Sequence, residues 1–199
     1  MAVTISGTTG VSLTDTNSVP AAAIQADAVT STAIQSSAVT PAKLSQPLTR
    51  GAGVTATGTT SIDFTSIPSW VSRITVMFSA LGTNGSSNLQ IQLGTSSGFT
   101  TSGYKSAATS GGGSGTFVTT GLVATWAMAS TNSCYGALII SKVGNNDWVY
   151  TGSVRTNTSN GLNTVGGGGT IAGTVTQLRV TSINGTDLID SGFANIIWE

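Results

Sequence analysis

The sequence contains no histidine, which removes both the commonest general base and the commonest transition-metal ligand. Serine triads and zinc sites lose their central member. Acid–base work is left to seven carboxylates: Asp15, Asp27, Asp63, Asp147, Asp187, Asp190 and Glu199. Glycoside hydrolysis needs two of them across one bond, and only the last five fall in the C-terminal part of the chain. Asp187 and Asp190 lie in NGTDLIDSG, which reads as an Asx-rich turn before a final strand rather than an acid pair. The glycine runs 111–113 and 166–169 read as flexible loops or tight bends. They lack the following Lys-Ser/Thr and helix of a phosphate cradle. Cys134, the only cysteine, sits in CYGALII and reads as a small core residue. The expectation is a protein without enzymatic activity, cofactor or metal.

Binding chemistry has better candidates. Aromatic rings offer flat faces to sugar C–H groups, and amides offer hydrogen bonds to hydroxyls. Tyr104, Trp126, Trp148 and Tyr150 border segments rich in Asn, Ser and Gly. Together with Asn132 they are the expected receptor contacts. Trp70 and Trp198 stand beside apolar strand residues and are expected to be packed or to lie between subunits. Seven basic and seven acidic residues make 7% charged, against a usual share of about 25%. No cluster of Lys and Arg provides the footprint of a nucleic-acid binder. No stretch approaches the roughly 20 apolar residues of a membrane span, so no membrane insertion is expected. The opening MAVTISGTTG lacks a signal-peptide pattern, which predicts folding in the cytoplasm where the chain is made.

The elements that must position these groups are strands. Thr, Val and Ile suit a sheet, and Gly and Asn supply turns. Ile62 and Phe64 alternate, as do Ile74, Val76 and Phe78, then Leu89, Ile91 and Leu93, each set predicting one buried face. LGTNGSSN, residues 81–88, reads as a hairpin around Asn84-Gly85. Further runs at 116–126, 135–143, 147–154, 170–183 and 193–198 bring the total to about nine short strands in a β-sandwich, jelly-roll-like head over 59–199.

Upstream lies a different pattern. Val19, Ile24, Val29, Ile34, Val39 and Leu44 recur at an unbroken spacing of five, and AIQADAVTST is followed by AIQSSAVTPA, an internal repeat. A step of five gathers these residues on neither a helical stripe nor a strand face. Identical chains wound about one axis would cover them layer by layer, which predicts a homotrimer. An amphipathic helix from Pro20 to just before Pro41 is the alternative, and it can itself sit in a three-chain shaft. Extended, the repeat reaches roughly 80 Å at about 3.3 Å per residue. Residues 1–17, small and polar without a periodic apolar face, read as a segment that needs a partner, and 18–58 as a pentad-repeat shaft with a Gly-rich joint. The fold class is mainly β, with an extended trimeric shaft before the head.

The opening ISGTTGVSLTDTNSV, the AVT-containing pentads, the block IDFTSIPSWVSRITVMFSALGTNGSSNLQIQLG and the closing TVTQLRVTSINGTDLIDSGFANIIWE resemble tailed-bacteriophage fibre proteins. The likeness covers most of the chain and is weakest from about 105 to 170. Its most specific parts are IPSWVSRITVMF and DSGFANIIWE. The resemblance implies a structural virion component: a homotrimer held to a tail, collar or capsid protein through residues 1–17, with the C-terminal β-head pointing outward. Adhesion to a host cell-surface carbohydrate follows as the leading expectation, with a capsid head fibre or decoration protein without receptor role as the alternative.

The repeat makes a direct prediction. Light scattering at micromolar concentration should give the mass of three chains. Replacing Ile24, Ile34 and Leu44 by Asn should loosen the assembly, since each buried polar group without a partner costs about 1–3 kcal/mol.

Overall fold

The computed structural model describes residues 43–110, 115–157 and 161–199. The expected attachment segment and the pentad positions Val19, Ile24, Val29, Ile34 and Val39 lie outside the described residues. Leu44 is described and exposed. The compact unit runs from Gln46 to Glu199 and is mainly β, with fourteen strands in two antiparallel sheets among the described residues.

The larger sheet contains β1 (Thr49–Arg50), β2 (Val54–Thr55), β4 (Arg73–Thr83), β7 (Tyr104–Ser110), β8 (Gly115–Val118), β10 (Ser133–Lys142), β11 (Asp147–Thr156), β12 (Leu162–Thr170) and β14 (Ile189–Trp198). Its order is β1-β14-β4-β10-β11-β12-β7-β8, with β2 also on β14. The smaller sheet contains β3 (Ser61–Phe64), β5 (Leu89–Thr95), β6 (Gly98–Phe99), β9 (Leu122–Val123) and β13 (Gln177–Ser182), in the order β3-β13-β5-β6 with β9 on β5. Nine strands facing five depart from the eight strands of a jelly roll.

Alternation explains the core. Ile74, Val76, Leu138, Ile140, Val154 and Val165 from the larger sheet share one buried cluster with Ile62, Leu89, Ile91, Leu93, Leu178 and Val180 from the smaller. Cys134 is in the same cluster, and burial pushes its thiol up to about 12, as its apolar neighbours led us to expect. Trp70 and Trp198 pack against the cluster from its margin.

Three expectations need correction. The Asn84-Gly85 segment is not a hairpin, because β4 and β5 belong to different sheets. It is an arch between layers, tied to the β13–β14 turn by Asn84 N–H donating to the Leu188 carbonyl (3.0 Å) and Leu188 N–H to Asn84 Oδ1 (2.8 Å). The glycine run 166–169 is strand, paired with β11 on one side and β7 on the other. Glycine is required there: Gly167 has φ of +143°, and a Cβ on it would overlap the Lys105 carbonyl. Finally, residues 46–58 are not a free joint, since β1 and β2 pair with β14. A Cβ on Gly53 would overlap the Phe193 ring, so this glycine lets the segment lie flat on the last strand.

That pairing gives the unit two distinct ends. The chain comes in beside Trp198, where Thr49 is paired, and climbs β14 until Ile189 N–H donates to the Thr59 carbonyl (2.7 Å). The nine steps between span about 30 Å at roughly 3.3 Å per residue.

Tyr104 crosses between the layers. Its hydroxyl accepts from Leu93 N–H (2.9 Å) and reaches back to the Leu93 carbonyl (3.4 Å). Tyr104→Phe strands that buried amide, so urea unfolding should show a loss of about 1–3 kcal/mol.

Candidate functional site

The aromatic receptor contacts expected from the sequence do not stand at the surface. Tyr104, Trp148 and Tyr150 are buried in the shared core, and Asn132 is buried as well. Their neighbours misled because Asn, Ser and Gly here flank strands whose alternate residues point inward. Asn132 is a loop brace: its N–H donates to the Ala129 carbonyl (2.8 Å) and its Nδ2 to the Ala127 carbonyl (3.4 Å). Trp126 is half-buried against the core, and its backbone N–H donates to Asn163 Oδ1 (2.9 Å). The structure therefore does not bring these five residues together as one exposed surface.

What the structure does gather is a polar recess on the outer face of the smaller sheet. It forms because β3, β5 and β13 each send alternate residues away from the core. Register then lines them up. Asp63 lies opposite Arg179, which lies opposite Gln92; Ser61 lies opposite Thr181, which lies opposite Gln90. Thr60, Thr101, Thr120, Asn184 and Gly185 complete a recess of about 240 Å³.

A solvent-facing row of glutamines would ordinarily be wet, yet Gln90 and Gln92 are buried. The connection between β8 and β9 folds over them. Gln92 Nε2 donates to the Thr120 carbonyl (3.0 Å), and the Thr120 hydroxyl donates to Gln90 Oε1 (2.8 Å). This connection is itself pinned from beneath. Ser106 Oγ donates to the Gly121 carbonyl (2.7 Å), Tyr150 Oη donates to the Val123 carbonyl (3.0 Å), and Tyr104 N–H donates to the Thr119 carbonyl (3.2 Å). Burial raises both phenols, Tyr104 to about 12, and pushes Tyr150 up as well. They remain neutral donors throughout the physiological range. Two of the aromatics expected to touch a ligand thus act as pins under the recess.

Arg179 supplies the other wall. Its Nε and Nη2 grip Asp63 Oδ1 and Oδ2 at 2.7 Å each, a bidentate fork, while its guanidinium carbon lies 4.2 Å from the Phe99 ring centroid. The hydrogen bonds it donates to Asp63 hold the guanidinium firmly protonated. Two of five guanidinium donors are spent; charge is balanced within the pair. Such a recess, with neutral amides, hydroxyls and one self-compensated ion pair, can order the hydroxyls of an uncharged ligand.

Asp147, Glu199 and Asp187 are engaged elsewhere. Thr170 Oγ1 donates to Asp147 (2.7 Å), and Glu199 pairs with Arg73. Asp187 accepts from Ser87 N–H (2.9 Å) and from Asn184 Nδ2 (2.6 Å), a loop-ordering role in keeping with its Asx-rich segment. Among the described residues no three His, Cys, Asp or Glu side chains gather as a metal site, and no helix is long and apolar enough to cross a membrane. No family model, curated protein or solved structure matches the chain.

Sequence reading missed Gln90, Gln92, Asp63 and Arg179. Their signal was present: in a chain with so few charges, Asp63 and Arg179 both sit mid-strand at outward positions, flanked by apolar residues.

The Asp187 clamp predicts an acid response. The Asn184 and Ser87 hydrogen bonds hold its carboxyl below the ordinary aspartate value. Its contribution is therefore full above the ordinary aspartate range and lost as pH falls through the depressed folded value. The Ser87 amide resonance should shift in that lower window, and Asp187→Ala should abolish the titration.

Proposed function

We propose that this chain is a non-enzymatic fibre protein of a tailed bacteriophage, a homotrimer that adheres to a host-surface carbohydrate through the polar recess of its C-terminal head. The observation that carries the adhesive part is the pair of buried glutamines beside the Arg179–Asp63 fork. Buried polar side chains held by a folded-over loop are costly to maintain for stability alone. Here they face a recess lined with hydroxyls.

Position supports the same reading. Thr60, Asn184 and Gly185 lie at the end of the compact unit opposite to where Gln46 leads in. The ligand we assign is a single uncharged sugar unit. The recess is smaller than the roughly 300–1,000 Å³ of drug-sized pockets, and its one cation is already neutralised by Asp63. Individual sites of this kind bind weakly. Three on one fibre act together through effective concentration.

The test is adsorption of the full chain to host cells and to their extracted neutral polysaccharide. Arg179→Ala and Gln92→Leu should each weaken binding about 10- to 100-fold, the range of one lost hydrogen bond to a charged group or one stranded amide. The trimer mass should be unchanged and no reducing sugar released. Undiminished adsorption by both variants would remove the recess from the proposal, and absence of any glycan binding by the parent chain would favour a capsid decoration role.

A further inference from the structure

The larger sheet carries a second recess, on the face turned away from the core. Register builds it. One row crosses the strands as Arg73, Ser141, Val149, Gly168 and Lys105, and the next brings Asp147 opposite Thr170. Val149 and Lys105 thus stand on either side of a strand that has no side chain at that point, and the gap between them is a recess of about 420 Å³. The gap is obligatory, since a Cβ on Gly168 would come within 2.4 Å of the Trp148 carbonyl oxygen. At that volume the recess falls within the roughly 300–1,000 Å³ of small-molecule sites.

Its charged groups stand at opposite corners. Two strand spacings of about 4.8 Å and two residues of about 3.3 Å separate the Lys105 and Asp147 Cα atoms by roughly 12 Å. Val149, 46% exposed, gives the same recess an apolar flank. Among the described residues the ion pairs Arg73–Glu199 and Arg179–Asp63 leave Lys105 out, so its ammonium keeps its donors for a ligand. The Thr170 hydroxyl donates to Asp147 Oδ1 at 2.7 Å and leaves the other carboxylate oxygen to accept. The surrounding face favours an anion. Four exposed cations, Arg50, Arg73, Lys105 and Arg155, stand on it against two carboxylates, Asp147 and Glu199, and Glu199 is already paired with Arg73.

We propose that this recess is a second binding site, which takes an acidic sugar unit of the hexuronate type: its carboxylate on Lys105, its hydroxyls on Asp147, and its C–H face over Val149 and the bare backbone of Gly168. A monocarboxylate matches the single ammonium. A phosphate dianion would meet the Asp147 carboxylate with no second cation in the recess to offset it. The inference stands apart from the fibre and trimer readings and from the neutral-sugar recess on the smaller sheet.

Titration of the full chain with digalacturonate, followed through the amide resonances of Gly167, Gly168 and Gly169, tests this. Lys105 is exposed, so Lys105→Gln should leave urea unfolding unchanged. Lys142→Gln removes the same charge outside the recess, and Arg179→Ala disables the other site. Saturable shifts that Lys105→Gln weakens about 10- to 100-fold, the range of one hydrogen bond to a charged group, and that Lys105→Arg, Lys142→Gln and Arg179→Ala preserve, support the proposal. It is overturned by the absence of saturable shifts at these glycines, or by equal affinity for neutral digalactose. Equal weakening in Lys105→Gln and Lys142→Gln overturns it too, because the attraction would then be a general field effect. Loss of neutral-polysaccharide adsorption in Arg179→Ala bears on the smaller sheet alone, so the two readings fail separately.

Discussion

Two sheets of unequal size share one apolar layer, and everything else in the head is arranged around keeping that layer dry. Nine strands cannot be covered by five without help, so the larger sheet sends its bulkiest inward residues, Tyr104, Trp148 and Tyr150, towards the core. Burying phenols is permissible only if their hydroxyls find partners. Those partners are the Leu93 backbone and the Val123 carbonyl, both on the smaller sheet. The same contacts that satisfy the core thus fix the height and position of β5 and of the β8–β9 connection. The recess above them inherits its shape from the packing below.

Scarcity of charge sets the chemistry available on the surface. With so few ionisable groups, recognition must rest on amides and hydroxyls, which hydrogen-bond without long-range attraction. A glutamine row covered by Thr120 and a guanidinium neutralised by Asp63 are the outcome. Such a site has little to gain from electrostatic steering and little sensitivity to salt. It discriminates by geometry, and the Phe99 ring against Arg179 restrains the one long flexible side chain that could blur that geometry.

The mainly β class and the inward residues of β3, β4 and β5 were legible because period-two alternation is a local signal. Cys134 was legible for the same reason. Three kinds of feature were not. Sheet membership is nonlocal, so Asn84-Gly85 looked like a hairpin although its flanking strands part company. A glycine run carries no side-chain pattern, and Gly166–Gly169 became strand only because β7 and β11 were there to pair with it. Tyr104, Trp148 and Tyr150 looked available because polar residues flank them, whereas their own parity within β7 and β11 sends them inward. Attention to parity rather than to neighbourhood composition would have reversed the assignment, and would have brought Gln90, Gln92, Asp63 and Arg179 forward instead.

Parity also links the two outer faces. Once each sheet commits one side to the common core, the opposite sides are the only extended surfaces left, and in this chain they differ in kind. The smaller sheet shows Asp63, Arg179, Gln92, Ser61, Thr181 and Gln90; the larger shows Ile139, Val149 and Phe117 between the exposed cations Arg50, Arg73, Lys105 and Arg155.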